Sequence, residues 1–198
     1  NKPPQRISWA AEFIAESVTE MTGHEPQVIK EDKHEGPAIF IGNLAPVKEA
    51  GFSSAGMEAG EFAVKTKDGS IYLYGNDEDK STGSAYAALD FAERILGVRQ
   101  YFETEEGGRA VIRTRNLTVP PLDYGDAPVF PMRSLWPYSH KKYLQTWRIA
   151  NTHPIRIIVH APHKWGKNEE YRKNRPEIFE LNKDGSRRIN LDPGYLDL

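Results

Sequence analysis

Residues 156–166, Arg-Ile-Ile-Val-His-Ala-Pro-His-Lys-Trp-Gly, turn an apolar run into two histidines, a lysine and a tryptophan. His160 and His163 form a His-Xaa-Xaa-His pair that offers two imidazoles to Zn2+. A structural zinc site takes four protein ligands and a catalytic one about three. The chain has no cysteine, and His140 and His153 stand at no ligand-like spacing, so no metal and no other cofactor is expected. An imidazole suits general acid or base work near neutral pH, but the sequence fixes no second group beside it. A third chemistry uses Trp136, His160, His163, Lys164 and Trp165 together. A tryptophan face stacks on the C–H face of a pyranose, while imidazole and ammonium donate to hydroxyl or carboxylate oxygens. Lys164 in particular suits an acidic sugar. Strand-end packing with solvated polar tips competes with all three.

Other residues carry weaker signals. Arg133 reaches either a substrate carboxylate or a structural ion pair. Glu177 and Glu180 lie three apart on one turn, whereas the paired acids of glycoside hydrolysis face each other across about 5–10 Å, so a solvated face is expected. Gly83, near a helix start, lacks the rest of a phosphate-binding pattern and is expected to permit close helix–sheet packing. Arg94 and Arg99 are expected to serve interdomain ion pairs. Asn116-Leu117-Thr118 is a formal glycosylation sequon whose meaning depends on a secretory context.

The elements that position these residues follow from patterning. The chain has 198 residues, 38% hydrophobic and 27% charged, with a net charge of −2. That charge gives no pull toward nucleic acid or an anionic membrane, and no apolar run approaches the roughly 18 residues of a membrane helix. The absence of cysteine excludes disulfides and thiolate chemistry. Starting at Asn1 rather than Met, the chain is compatible with a removed leader.

Ser8–Gly23 reads as an amphipathic helix with Trp9, Phe13, Ile14, Val18 and Met21 on one face. Strands are expected at 27–30 and 38–42, the second continuous enough to be covered on both faces. Residues 61–75 make a hairpin around Asp68-Gly69. Residues 80–97 make a helix capped by Ser81 or Thr82, with a buried stripe of Tyr86, Leu89, Ala92, Ile95 and Leu96. Strand material returns at 98–102 and 109–119. These elements predict a small mixed-sheet α/β sandwich over 1–119, then a proline-rich linker over 120–131. Past it, strand 132–136, helix 141–151 and strand 155–160 form a βαβ unit.

That unit is too short to cover a parallel sheet on both faces. A complete (β/α)8 barrel needs about 250 residues, so 132–198 reads as the beginning of an incomplete barrel. It is expected to pack against the rest of a parent chain or a second copy. In such a barrel the active face lies at the C-terminal strand ends, where Trp136 and the 160–165 cluster fall.

One stretch is more specific. Gly75, Asp77, Gly83, Tyr86, Asp90, Phe91, Glu93, Leu96, Gly97, Val98, Arg99, Tyr101 and Phe102 follow a set pattern. It is a strand ending in Gly-Xaa-Asp, a Gly-Xaa-Xaa-Tyr helix, then Leu-Gly-Val-Arg and an aromatic pair. This resembles the small α/β domain preceding the catalytic barrel of β-hexosaminidases and α-glucuronidases. It is most similar to a largely uncharacterised bacterial family built from that domain and a glycosidase-like barrel. Residues 128–136 resemble the linker into barrel strand 1. The His160–Gly166 and 174–188 stretches resemble the family's His-rich loop and Pro-Glu-Xaa-Phe-Xaa-Leu segment.

The resemblance implies the non-catalytic N-terminal part of a carbohydrate-active enzyme, a glycoside hydrolase of polysaccharide or glycan. It is expected to be extracellular or periplasmic, with carbohydrate as partner and neither nucleic acid nor membrane. The relatives' catalytic carboxylates lie later than residue 198, so the fragment itself is expected to be inactive and has no assigned catalytic residue. Two alternatives stay open. One is a carbohydrate-binding or assembly module without chemistry. The other is part of a polysaccharide lyase, with His160 or His163 abstracting a proton beside a uronate that Lys164 neutralises.

Overall fold

The computed structural model describes residues 5–30, 34–77, 82–102, 108–130, 133, 146–149, 169–179 and 181–187. The chain forms two compact units, Asn1–His153 and Pro154–Leu198.

In the first unit, helix α1 (Gln5–Thr22) buries Ile7, Ala10, Phe13, Ile14, Ser17 and Met21, spaced three and four apart as a one-sided helix requires. The hydroxyls of Ser17, Thr19 and Thr22 donate to carbonyls four residues back, which satisfies them inside the helix. Gly23 ends α1 at φ 75°, its N–H bonding to the Thr19 carbonyl at 2.8 Å.

Strand β1 (Ile39–Ile41) leads through the short helix α2 (Ala45–Glu49) to β2 (Phe62–Lys67) and β3 (Ser70–Gly75). Asp68 and Gly69 both take positive φ in the β2–β3 turn, as its Asp-Gly sequence anticipates. Helix α3 (Gly83–Arg94) follows, then β4 (Arg99–Gln100), β5 (Arg109–Ala110) and β6 (Asp123–Asp126). The main sheet has the order β1-β3-β2-β6, with β1 parallel to β3 and the other pairs antiparallel. Strands β4 and β5 pair separately as a two-residue antiparallel ribbon. The fold is therefore mixed α/β, built on a mixed four-stranded sheet.

Period-two alternation divides the sheet's side chains between two cores. Phe62, Val64 and Leu73 point into the larger one, shared with α1 and α3. Ala63, Tyr72 and Tyr74 point the other way, where Phe40 and Val47 join them and Phe52 and Met57 pack on top. There Phe40 stacks on Tyr72 at 5.3 Å and Phe52 on Tyr74 at 5.8 Å. Helix α3 is buried on every side, Gly83 through Ala92 without a break. It is the centre of the domain rather than a surface helix with one stripe, and its alanines let neighbours approach from all directions.

Several expectations need correction. Residues 27–30 form no strand, and Val28 and Ile29 are exposed. Four residues with Pro26 at their start are too little to hold a place beside β1, whose described partner is β3 alone. Of 98–102 and 109–119, only two residues each pair. The rest of the second run is irregular and sends Val111, Leu117 and Val119 toward the core. Inside the stretch expected as a linker, Asp123–Asp126 is the sheet's fourth strand, so the sandwich is not complete by residue 119. Prolines 120, 121 and 128 flank β6 instead of interrupting it, and an edge strand needs donors on one side only. Thr66 secures the entry to β6. Its N–H donates to the Leu122 carbonyl at 2.9 Å, and its hydroxyl accepts the Leu122 N–H at 2.8 Å.

In the Pro154–Leu198 unit, helix α4 (Glu169–Asn174) and a 3-10 turn (Pro176–Ile178) precede a reverse turn closed by the Leu181–Arg187 bridge. Gly185 supplies its positive φ, and Asp184 accepts from the Ser186 N–H and hydroxyl, which holds its carboxyl below the usual range. This is the turn expected from Asn-Lys-Asp-Gly-Ser. The expected barrel strands and helix fall outside the described residues, apart from Arg133 and 146–149.

Candidate functional site

Trp136, His160, His163, Lys164 and Trp165 all lie outside the described residues, as do His140, His153 and Glu180. What the structure does place is the Gly-Xaa-Asp helix pattern, and it builds two polar clusters, one toward each end of α3.

The first sits where β1 and β3 end side by side. The backbones of β3 and α3 touch there, because both contact residues are glycine. A Cβ on Gly75 would stand 2.4 Å from the Glu61 carbonyl oxygen, and one on Gly83 2.3 Å from the same atom. No side chain fits at either position without backbone displacement, which is the close packing expected of Gly83. That contact brings Asp77 against the start of α3. Its Oδ1 accepts the Ser84 N–H at 3.0 Å and its Oδ2 the Ser84 hydroxyl at 2.6 Å. The Asn43 amide donates to Asp77 Oδ2 at 3.1 Å and to the Gly75 carbonyl at 2.8 Å. Ser84 Oγ in turn accepts the Gly75 N–H at 3.1 Å. One closed hydrogen-bond circuit thus joins the ends of β1, β3 and α3.

Asp77 is therefore the carboxylate cap of α3; Thr82 occupies the N-cap position without a side-chain cap bond, and Ser81 lies outside the described residues. All of the described partners of Asp77 are neutral, and burial pushes its carboxyl up despite the bonds it accepts. The serine–carboxylate pair has the elements of a nucleophile and a base, but Ser84 is wholly buried and its hydroxyl is engaged on both sides. It links β3 to the Asp77 cap.

The second cluster centres on Asp90, whose side chain is 1% exposed. Its Oδ2 accepts the Tyr124 hydroxyl at 3.0 Å and lies 3.1 Å from Arg94 Nε. Arg148 Nη1 approaches Asp90 Oδ1 at 3.8 Å, and Arg148 Nη2 pairs with Glu93 at 2.9 Å. Burial, seconded by the Asp90 charge, pushes the Tyr124 phenol well up, so it stays a donor. Arg94 also reaches Asp126 at 3.5 Å and lies over the Tyr124 ring at 5.5 Å. Asp90 thus ties α3 to β6 and to residues 146–149.

Arg133 supports that junction. Its guanidinium donates to the carbonyls of Arg148 at 3.0 Å and Phe130 at 2.7 Å and lies over the Tyr86 ring. Arg94 pairs within its own unit, and Arg99 donates to the carbonyls of Glu93 and Val98, so the described partners of neither make an interdomain ion pair. Glu177 is exposed and pairs with Arg175, which holds its carboxyl below the usual range, as a solvated face would.

Among the described residues no group of three His, Cys, Asp or Glu side chains is placed to hold a metal. No helix among them is long and apolar enough to cross a membrane. An open groove beside α1 is lined by Glu12, Glu16, Glu20 and Glu25. Lys30 pairs with Glu12, and Arg109, stacked on Phe13 at 4.8 Å, lies near Glu16 and Glu20.

Asn43, Ser84, Tyr124 and Arg148 are the members of the clusters that sequence reasoning missed. Only Asn43 left a trace, since Gly-Asn recurs at 42–43 and 75–76, the ends of the two parallel strands. No family model matches the chain, and no curated protein matches it.

Proposed function

We propose that residues 1–198 are the non-catalytic N-terminal portion of a carbohydrate-active enzyme, a glycoside hydrolase acting on polysaccharide or glycan outside the cytoplasm. In this reading the small domain stiffens a (β/α)8 barrel begun at residue 132. Trp136, His160, His163, Lys164 and Trp165 furnish one wall of its sugar cleft. The observation that carries the reading is how the polar residues of the Gly-Xaa-Asp helix pattern are used. Asp77 caps, Asp90 anchors 146–149, and Gly75 and Gly83 allow contact, so both aspartates of the pattern are engaged in holding the domain together. A helix whose two aspartate contacts, Asp77 and Asp90, are both used in construction is suited to support.

The test is oligosaccharide titration of the full-length protein, with neutral and uronate-bearing ligands. His163→Ala combined with Trp165→Ala is expected to weaken binding about tenfold or more, the equivalent of roughly 1.4 kcal/mol, with the melting temperature unchanged. Unchanged binding with a lowered melting temperature would mean that the cluster packs a strand end. Glycoside hydrolysis by residues 1–198 alone, abolished by changing one of their own side chains, would overturn the non-catalytic reading.

A further inference from the structure

Thr82 presents a problem that the Asp77 circuit leaves unsolved. It holds the N-cap position of the twelve-residue helix α3, yet its side chain makes no cap bond. The residue is 7% exposed, and its Oγ1 is buried without a hydrogen-bond partner among the described residues. A buried hydroxyl left alone is costly, and such groups in native proteins are almost always satisfied by protein or by ordered water. Thr82 also lines a small cavity together with Arg6, Trp9, Ala85, Tyr86, Leu89 and Ile149.

Size decides what that cavity can take. Its volume is about 10 Å3. That matches the space of about one water molecule and excludes a sugar, a nucleotide or any other metabolite. The walls are mostly apolar, and the residues that line them include Thr82, with its buried hydroxyl, and Arg6, an exposed residue of α1. A water needs partners of this kind to stay in place.

We propose that this cavity is a binding site for one structural water, bridging Thr82 Oγ1 at the start of α3 to the Arg6 guanidinium in the first turn of α1. The water accepts from Arg6 and exchanges a hydrogen bond with the Thr82 hydroxyl. It joins the two helices at the end of α3 where Asp77 already binds the strand ends. The site is independent of any sugar chemistry farther along the chain.

Thr82→Val tests it, because valine keeps the β-branched shape and removes only the hydroxyl. If the hydroxyl is solvated by a held water, its loss destabilises. If it is truly alone, its loss removes an uncompensated polar atom and leaves stability equal or higher. The expected result is a fall in melting temperature of about 2–4 °C for a chain of this size. Thr82→Ser, which keeps the hydroxyl, should stay close to the parent. A high-resolution crystal structure of the parent should show one ordered water within hydrogen-bond distance of Thr82 Oγ1, absent in Thr82→Val. An unchanged or raised melting temperature in Thr82→Val, or no such water in the parent, overturns the proposal.

Discussion

Toward the start of α3 a carboxylate is held by neutral donors, and in its second half another is held by cations. Asp77 accepts from a backbone N–H, a hydroxyl and an amide, whereas Asp90 has two arginines and a tyrosine around it. Neutral donors fill a carboxylate's hydrogen-bond valences without offsetting the loss of hydration, which is why the Asp77 carboxyl is pushed up. Cations offset that loss through charge, at the risk of leaving buried charge behind if one partner goes. The two acids serve structure in different ways: one is a cap held by neutral donors, the other an anchor held by charge.

The largest expected effect comes from breaking the anchor. Asp90→Ala should destabilise the chain by about 2–3 kcal/mol, because it takes the acceptor from the part-buried Tyr124 hydroxyl and a buried partner from Arg94 and Arg148, which keep Asp126 and Glu93. Denaturant unfolding checks this, and a loss near zero would mean that the arginines find water instead. The cap should matter less. Asp77→Ala removes one cap carboxylate and leaves Ser84 and Asn43 with other bonds to make, for a loss of about 1–2 kcal/mol. Equal losses at the two positions would erase the distinction drawn between them.

The smallest effect is in pH dependence, and its sign follows from the raised Asp77 carboxyl. A group whose pKa is higher folded than unfolded contributes stability that is present below the unfolded value. That contribution is lost as pH rises through the folded value. Asp77 should therefore make the chain slightly less stable as pH climbs out of the ordinary carboxylate range. Asp77→Asn, which cannot ionise, should flatten that slope in melting temperatures recorded from acid to neutral pH. An unaltered slope would place the titration elsewhere.

The sequence made α1, the hairpin and α3 legible because each is a local pattern: helical spacing, alternation around Asp68-Gly69, and a run from Gly83 to Arg94. Strand β6 was hidden because Asp-Tyr-Gly-Asp has neither β-branched residues nor alternation. It pairs only because β2 offers it an edge. The true cap of α3 was hidden for a similar reason. Thr82 has the right residue type in the right place, but the glycine contact brings Asp77 of the preceding strand end closer to the task. Arg148 could not be connected to Asp90 from sequence, since fifty-eight positions separate them and neither belongs to a repeated pattern. The candidate sugar-cleft residues rest on residue type and on position after an expected strand.

The most direct test of the account measures oligosaccharide binding and thermal unfolding side by side for Asp77→Asn and for the His163→Ala, Trp165→Ala pair. Asp77→Asn should bind as the parent does, because its carboxylate builds the helix start and touches no ligand; the double change should lose affinity and keep its melting temperature. Loss of binding in Asp77→Asn with an unchanged melting temperature would contradict the claim that the two aspartates at α3 serve structure.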